Sequence, residues 1–165
     1  MKKIYSILLI LIAGTIISFN NSSSDDSQTG YVDPGFDDPT KIPIPTTYNI
    51  GGISTTSTSK AVICQGSVGG KSQVGIAVDN GSGVNLKIYW EGTISTSAVG
   101  TYSPTQYTIK VISGGTPYTS TDPLNIVITP NNPTDGIYNI QFLSNISVGP
   151  VTINSSTSYI NAYKY

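Results

Sequence analysis

The chain has no histidine and no arginine, and all of its positive charge rests on eight lysines. Without an imidazole, serine–histidine and cysteine–histidine hydrolases lack their base, and histidine zinc sites lack their ligand. Without a guanidinium there is no arginine clamp for phosphate or carboxylate. A single cysteine, Cys64, excludes an intramolecular disulfide. Charged residues make up 10% of the chain, against roughly 25% in ordinary soluble domains. There is one Trp and one Glu. No basic stripe exists, so nucleic acid is excluded as a partner. No residue pattern calls for a cofactor or a metal.

What the chain does have begins at its N-terminus. Lys2 and Lys3 precede an almost wholly apolar run, Ile4–Ile17. As a helix it spans about 21 Å, short of the roughly 30 Å hydrocarbon core. That length fits a secretory signal, residues 1–19, rather than a membrane anchor. The expected location is therefore exported: periplasm, outer cell surface or secreted. Without Lys2 and Lys3, six lysines face nine acids, a net charge of −3. No stable membrane span is expected in the mature chain.

The stretch Ser18-Phe19-Asn20-Asn21-Ser22-Ser23-Ser24-Asp25-Asp26 resembles the Ser/Asp-rich tether of surface lipoproteins from Bacteroidota-type bacteria. In that family the tether follows a lipid-bearing cysteine. Here Phe19 stands where that cysteine would be, and acylation needs a thiol, so the resemblance implies export without that anchor. Gly100-Thr101-Tyr102-Ser103, Leu124–Thr129 and Gly136-Ile137-Tyr138-Asn139-Ile140 are similar, more loosely, to short β-rich domains of unknown function in exported proteins of the same bacteria.

Residues 20–47 read as a linker rich in Ser, Asp, Gly and Pro, too poor in large apolar residues to order itself. Pro34, Pro39, Pro43 and Pro45 stiffen it. Asp33, Asp37 and Asp38 lie close together, but their spacing does not match a calcium loop, and a solvated acidic tether is the expectation.

Residues 48–165 read as one all-β domain. The organising stretch is Val84–Ile94, which holds both Trp90 and Glu91. Leu86, Ile88 and Trp90 alternate with Lys87, Tyr89 and Glu91, the period of a strand with one buried and one wet face. Strands are also expected over Lys60–Gln65, around Val74–Val78, and over Gln106–Ile112, Leu124–Thr129, Tyr138–Phe142 and Tyr159–Tyr165. Ile146–Ile153 reads as a bent strand or two short ones, broken at Gly149-Pro150. Asp79-Asn80-Gly81 between two alternating runs predicts a hairpin. About seven to nine short strands with regular turns argue for a single antiparallel β-sandwich.

Four acids in the domain, Asp79, Glu91, Asp122 and Asp135, would have to supply the carboxylate pair of a glycoside hydrolase. Three of them stand in expected turns, where Asp is a common turn former. Cys64 lies in an apolar strand and reads as a buried, inert thiol. The binding candidates are aromatic. Tyr89 lies opposite the Trp90 face, and Tyr159, Asn161, Tyr163 and Tyr165 share one side of the last strand, with Ile160 and Ala162 on the other. Rings that stack on C–H faces beside amides that bond hydroxyls suit a sugar. The reading is a non-enzymatic envelope module for binding, adhesion or structure, with a glycan or a surface protein as partner. The carbohydrate-binding version uses these tyrosines. A carboxylate glycosidase and a small outer-membrane barrel rank below it.

Overall fold

The computed structural model describes Pro39 and residues 44–164 of the chain. The expected signal peptide, most of the expected linker and Tyr165 lie outside the described residues. Twelve strands make up the fold: β1 (Tyr48–Asn49), β2 (Lys60–Val68), β3 (Lys71–Asp79), β4 (Val84–Glu91), β5 (Gly100–Tyr102), β6 (Tyr107–Ser113), β7 (Thr116–Ser120), β8 (Ile126–Asn132), β9 (Ile137–Phe142), β10 (Ile146–Val148), β11 (Val151–Ile153) and β12 (Tyr159–Lys164). Among the described residues there is no α-helix, and none long and apolar enough to cross a membrane.

Ten strands form one sheet in the order β5-β8-β9-β12-β2-β3-β4-β6-β7, with β1 pairing β12. Pairing is antiparallel except between β12 and β2. The sheet does not close; β5 and β7 are its edges. It folds over on itself as a sandwich, and the outer-membrane barrel is not this fold. The inward residues of the β2–β3–β4–β6 half and of the β8–β9–β12 half belong to one core that includes Ile63, Ile76, Ile88, Ile109, Ile128 and Ile140. Each such side chain contributes at most about 1.5–3 kcal/mol on leaving water. The β10–β11 hairpin forms a second small sheet, against β6 and β7, and adds Ile146, Val148, Val151 and Ile153 to the core.

The hairpins follow from local chemistry. β2 and β3 join through Gly69-Gly70 and β6 and β7 through Gly114-Gly115, with φ of 59° and 80°, and 57° and 79°. Two residues in succession at positive φ define a turn whose twist matches that of the paired strands. Because the β2–β3 hairpin zips to its two-residue turn, Gly66 and Ser67 pair with Gln73 and Ser72 rather than forming a loop. The expected β3–β4 hairpin is present; Asp79 Oδ1 accepts from the Gly81 and Gly83 amides at 2.6 and 3.1 Å. Three strands were not expected. β1 is only two residues long. β5 and β7 are the sheet edges, and Pro117 in β7 is tolerated because an edge strand need not donate on both sides. Pro130 in β8 likewise sits where the β8–β9 register shifts.

Thr46 and Thr47, expected at the end of the linker, precede β1 and are hydrogen-bonded to the domain. The Thr46 amide donates to Ser59 O at 3.0 Å, and the Asn161 amide donates to Thr47 O at 2.8 Å.

Candidate binding face

β12 alternates as expected. Ile160 and Ala162 are fully buried in the core, and Tyr159, Asn161 and Tyr163 project from the opposite side, each half-buried. What the sequence did not reveal is the company they keep. Antiparallel pairing sets Tyr159 opposite Gln141, Asn161 opposite Asn139, and Tyr163 opposite Ile137. Beyond β9 the same rows continue to Val127 and Thr129 on β8, and to Thr101 on β5. On the other flank of β12 lie Thr47 and Asn49. The outer face of this half therefore carries two tyrosines, four side-chain amides and several hydroxyls, with no Lys, Asp or Glu in these rows.

The central amides are held in place by one another. Asn139 Nδ2 donates to Asn161 Oδ1 at 2.8 Å, and Asn161 Nδ2 donates to Thr47 Oγ1 at 2.7 Å. This ladder runs across β9 and β12 to Thr47, just ahead of β1. It fixes the amide planes and leaves one N–H on each Asn, and the exposed Gln141 beside Tyr159, for other partners. Asn49 Nδ2 donates to Thr157 O at 3.0 Å. Preset donors of this kind lose little freedom when a ligand binds.

Tyr163 is the border residue. Its ring lies over Gly136, and it packs against a small apolar cluster of Val62, Cys64 and Ala77 on the outer side of β2 and β3. Tyr89 does not belong to the exposed platform. It does project opposite Leu86, Ile88 and Trp90, but it is 0% exposed. The outward face of its half is itself covered, which alternation along one strand cannot disclose. Tyr165 lies outside the described residues.

Trp90 is a core residue, as its face implied. Its ring centroid stands 6.1 Å from that of Tyr102, at 45°. The Tyr102 hydroxyl donates to Ala98 O at 3.0 Å, pinning the loop between β4 and β5. Cys64 is buried, and its Sγ lies 3.7 Å from Gly75 O. The acids have structural duties. Asp79 caps its turn, Asp122 Oδ2 accepts from the Ser147 amide at 2.7 Å, and Asp135 Oδ2 accepts from Asn132 Nδ2 at 2.7 Å. Glu91 pairs with Lys71 at 2.8 Å on the surface. Two shallow clefts, of about 200 and 280 Å³, are lined by neither Asp nor Glu. Neither assembles the paired acids that glycoside hydrolysis needs. The Asp33, Asp37 and Asp38 group lies outside the described residues.

Among the described residues, one titratable group is clearly shifted. Burial pushes the Tyr48 phenol above its usual range, offset in part by a contact with Ser59 Oγ and reinforced by Asp79. The phenol donates to Ser54 O at 3.1 Å, so this is a structural tyrosine near the start of the domain.

No known protein family, curated protein or solved structure matches this chain.

Proposed function

We propose that this protein is an exported, non-enzymatic binding module whose ligand is a neutral, hydroxyl-rich polymer, a glycan of the cell envelope or of its surroundings. One observation carries the reading. The outer face of β8–β9–β12 presents Tyr159 and Tyr163 among Asn139, Gln141 and Asn161, in rows free of ionic side chains. A flat tyrosine ring offers apolar area at low entropic cost, and its hydroxyl stays hydrated at the rim. Amides beside it supply donors and acceptors to sugar hydroxyls. The absence of ionic groups in these rows selects against strongly charged polymers. Export rests on the Lys2-Lys3 start and the apolar run Ile4–Ile17.

A glycan array probed with the mature chain, residues 20–165, tests this. Binding to neutral glycans, with weaker or no binding to sulfated and uronic-acid glycans, is the expected pattern. A preference for charged glycans, or no binding to any, overturns it and leaves a protein-contact or purely structural envelope domain.

A further inference from the structure

The turn between β3 and β4, Asp79-Asn80-Gly81-Ser82-Gly83, contains an Asn-Gly step. Such a step has a reaction open to it. The glycine backbone nitrogen attacks the asparagine side-chain carbonyl carbon and closes a five-membered imide ring. Glycine suits the role because no Cβ crowds its nitrogen. Three things keep the reaction slow. The nitrogen must lose its proton, the carbonyl oxygen must take up negative charge, and the reacting atoms must stay close. In this turn a neighbouring group meets each need. The Gly81 amide donates to Asp79 Oδ1 at 2.6 Å, within the reach of a general base for the proton it removes. Asn80 Oδ1 accepts twice from Ser82, from its amide at 3.0 Å and from its hydroxyl at 2.7 Å. Those are the distances at which donors stabilise a developing oxyanion. The bond from the Ser82 amide also closes a ring of atoms that holds both Asn80 Cγ and Gly81 N, which limits how far the two can part. The main chain of Asn80 is anchored as well. Its amide donates to Asn85 Oδ1 at 3.0 Å, and its carbonyl accepts from Thr56 Oγ1 at 2.8 Å. Gly81 and Ser82 are exposed, so water reaches the turn.

We propose that Asn80 is a self-modification site, converted to aspartate and isoaspartate by its own turn, with Asp79 as the base and Ser82 as the oxyanion donor. Gly81 N forms a bond to Asn80 Cγ as its proton passes to Asp79 Oδ1, and the carbonyl electron pair moves onto Asn80 Oδ1. That charge falls between the two Ser82 donors. The tetrahedral carbon then collapses. The Cγ–Nδ2 bond breaks, and Nδ2 leaves as ammonia with the proton that Asp79 took up. Water opens the imide at either of its carbonyl carbons. Opening at Cγ leaves aspartate, and opening at the main-chain carbon leaves isoaspartate. No oxidant or reductant takes part. The product carries a new carboxylate beside Asp79. In the isoaspartate form the main chain at position 80 is longer by one carbon, which works against the anchors on Asn85 and Thr56. The turn that closes the β3–β4 hairpin is thereby also a record of the protein's age.

Peptide mass mapping of the chain incubated at neutral pH in oxygen-labelled water tests this. Asn80 should convert about tenfold or more faster in the folded chain than in the urea-unfolded chain. The products should be isoaspartate as well as aspartate, each carrying one labelled oxygen. Conversion no faster in the folded chain overturns the proposal. So does aspartate alone, because direct hydrolysis of the amide does not pass through the imide. Ser82→Ala, at an exposed position, keeps the amide donor and removes the hydroxyl; it should slow the folded-state reaction about fivefold or more. Asp79→Ser should slow it about tenfold or more. In urea both variants should match the unaltered chain within about twofold, since the turn is then absent. An unchanged folded-state rate in either variant overturns the proposal. A loss equally large in urea does so too, because the effect then belongs to the local sequence and not to the turn. None of these readouts depends on glycan binding.

Discussion

At the scale of single residues, Trp90 and Tyr48 carry the clearest expectations. Trp90 is 3% exposed, in the core and against Tyr102. Trp90→Ala should lower the unfolding free energy by about 3–5 kcal/mol, read from urea unfolding followed by circular dichroism. A loss below about 1 kcal/mol would mean the ring is not packed as described. For Tyr48 the sign can be worked through. Its folded-state pKa is raised, so in the window above the ordinary phenol value of about 10 the unfolded chain releases this proton first. The unfolded state then binds fewer protons, and stability falls as pH rises. Below that value the contribution is fully present. Tyr48→Phe should therefore show a shallower loss of stability between about pH 9.5 and 11 than the unaltered protein. Equal slopes would contradict the burial of this phenol. Tyr89 shows what a residue's position along its strand cannot reveal. Alternation put it on the face opposite Trp90, which is where it lies. Whether that face meets water depends on what lies over the sheet.

At the scale of elements, most strands were legible because their inward residues are β-branched or aromatic and strictly alternate. β3 and β9 fall where Val74, Ile76 and Val78, and Tyr138, Ile140 and Phe142, put them. β5 and β7 were not, for a physical reason. Edge strands bury little, so Gly100–Tyr102 and Thr116–Ser120 carry no apolar alternation, only the pairing that β8 and β6 offer. The break at Gly149-Pro150 proves to be the two-residue turn of the β10–β11 hairpin, with Val148 paired to Val151. Gly149 has φ of 57°, and a methyl group on its Cα would run into the Tyr118 ring. Gly149→Ala should cost about 1–3 kcal/mol, from left-handed strain and overpacking together. Pairing it with Tyr118→Ala should recover part of that loss, measured as a double-mutant cycle in thermal unfolding. Strict additivity of the two changes would show that the turn does not rest on that ring.

At the scale of the whole molecule, the sandwich class follows from many short alternating runs, but the order of strands does not. The parallel pairing of β12 with β2 brings residues about a hundred positions apart side by side. No local pattern announces a contact of that separation. That topology makes the candidate face. Tyr159, Asn161 and Tyr163 were legible as one side of the last strand. Asn139 and Gln141 were legible as one side of another. Only the β9–β12 register shows that they form one surface. The same topology separates two outer faces of different character. One is amide-rich and open. The other is apolar at its centre, bears Lys87 and Lys110, and is covered. Tyr163 stands between them. The account predicts that binding belongs to the first and that the second serves the protein's own integrity.

The measurement that bears most directly on this is calorimetric titration of Tyr159→Ala with the neutral glycan that the unaltered protein binds best. Tyr159 is half-exposed and outside the core, so the variant should keep its melting temperature within about 2 °C. Its affinity should fall at least tenfold, about 1.4 kcal/mol. An unchanged affinity in a folded variant would contradict the claim that the β9–β12 face is where the ligand sits.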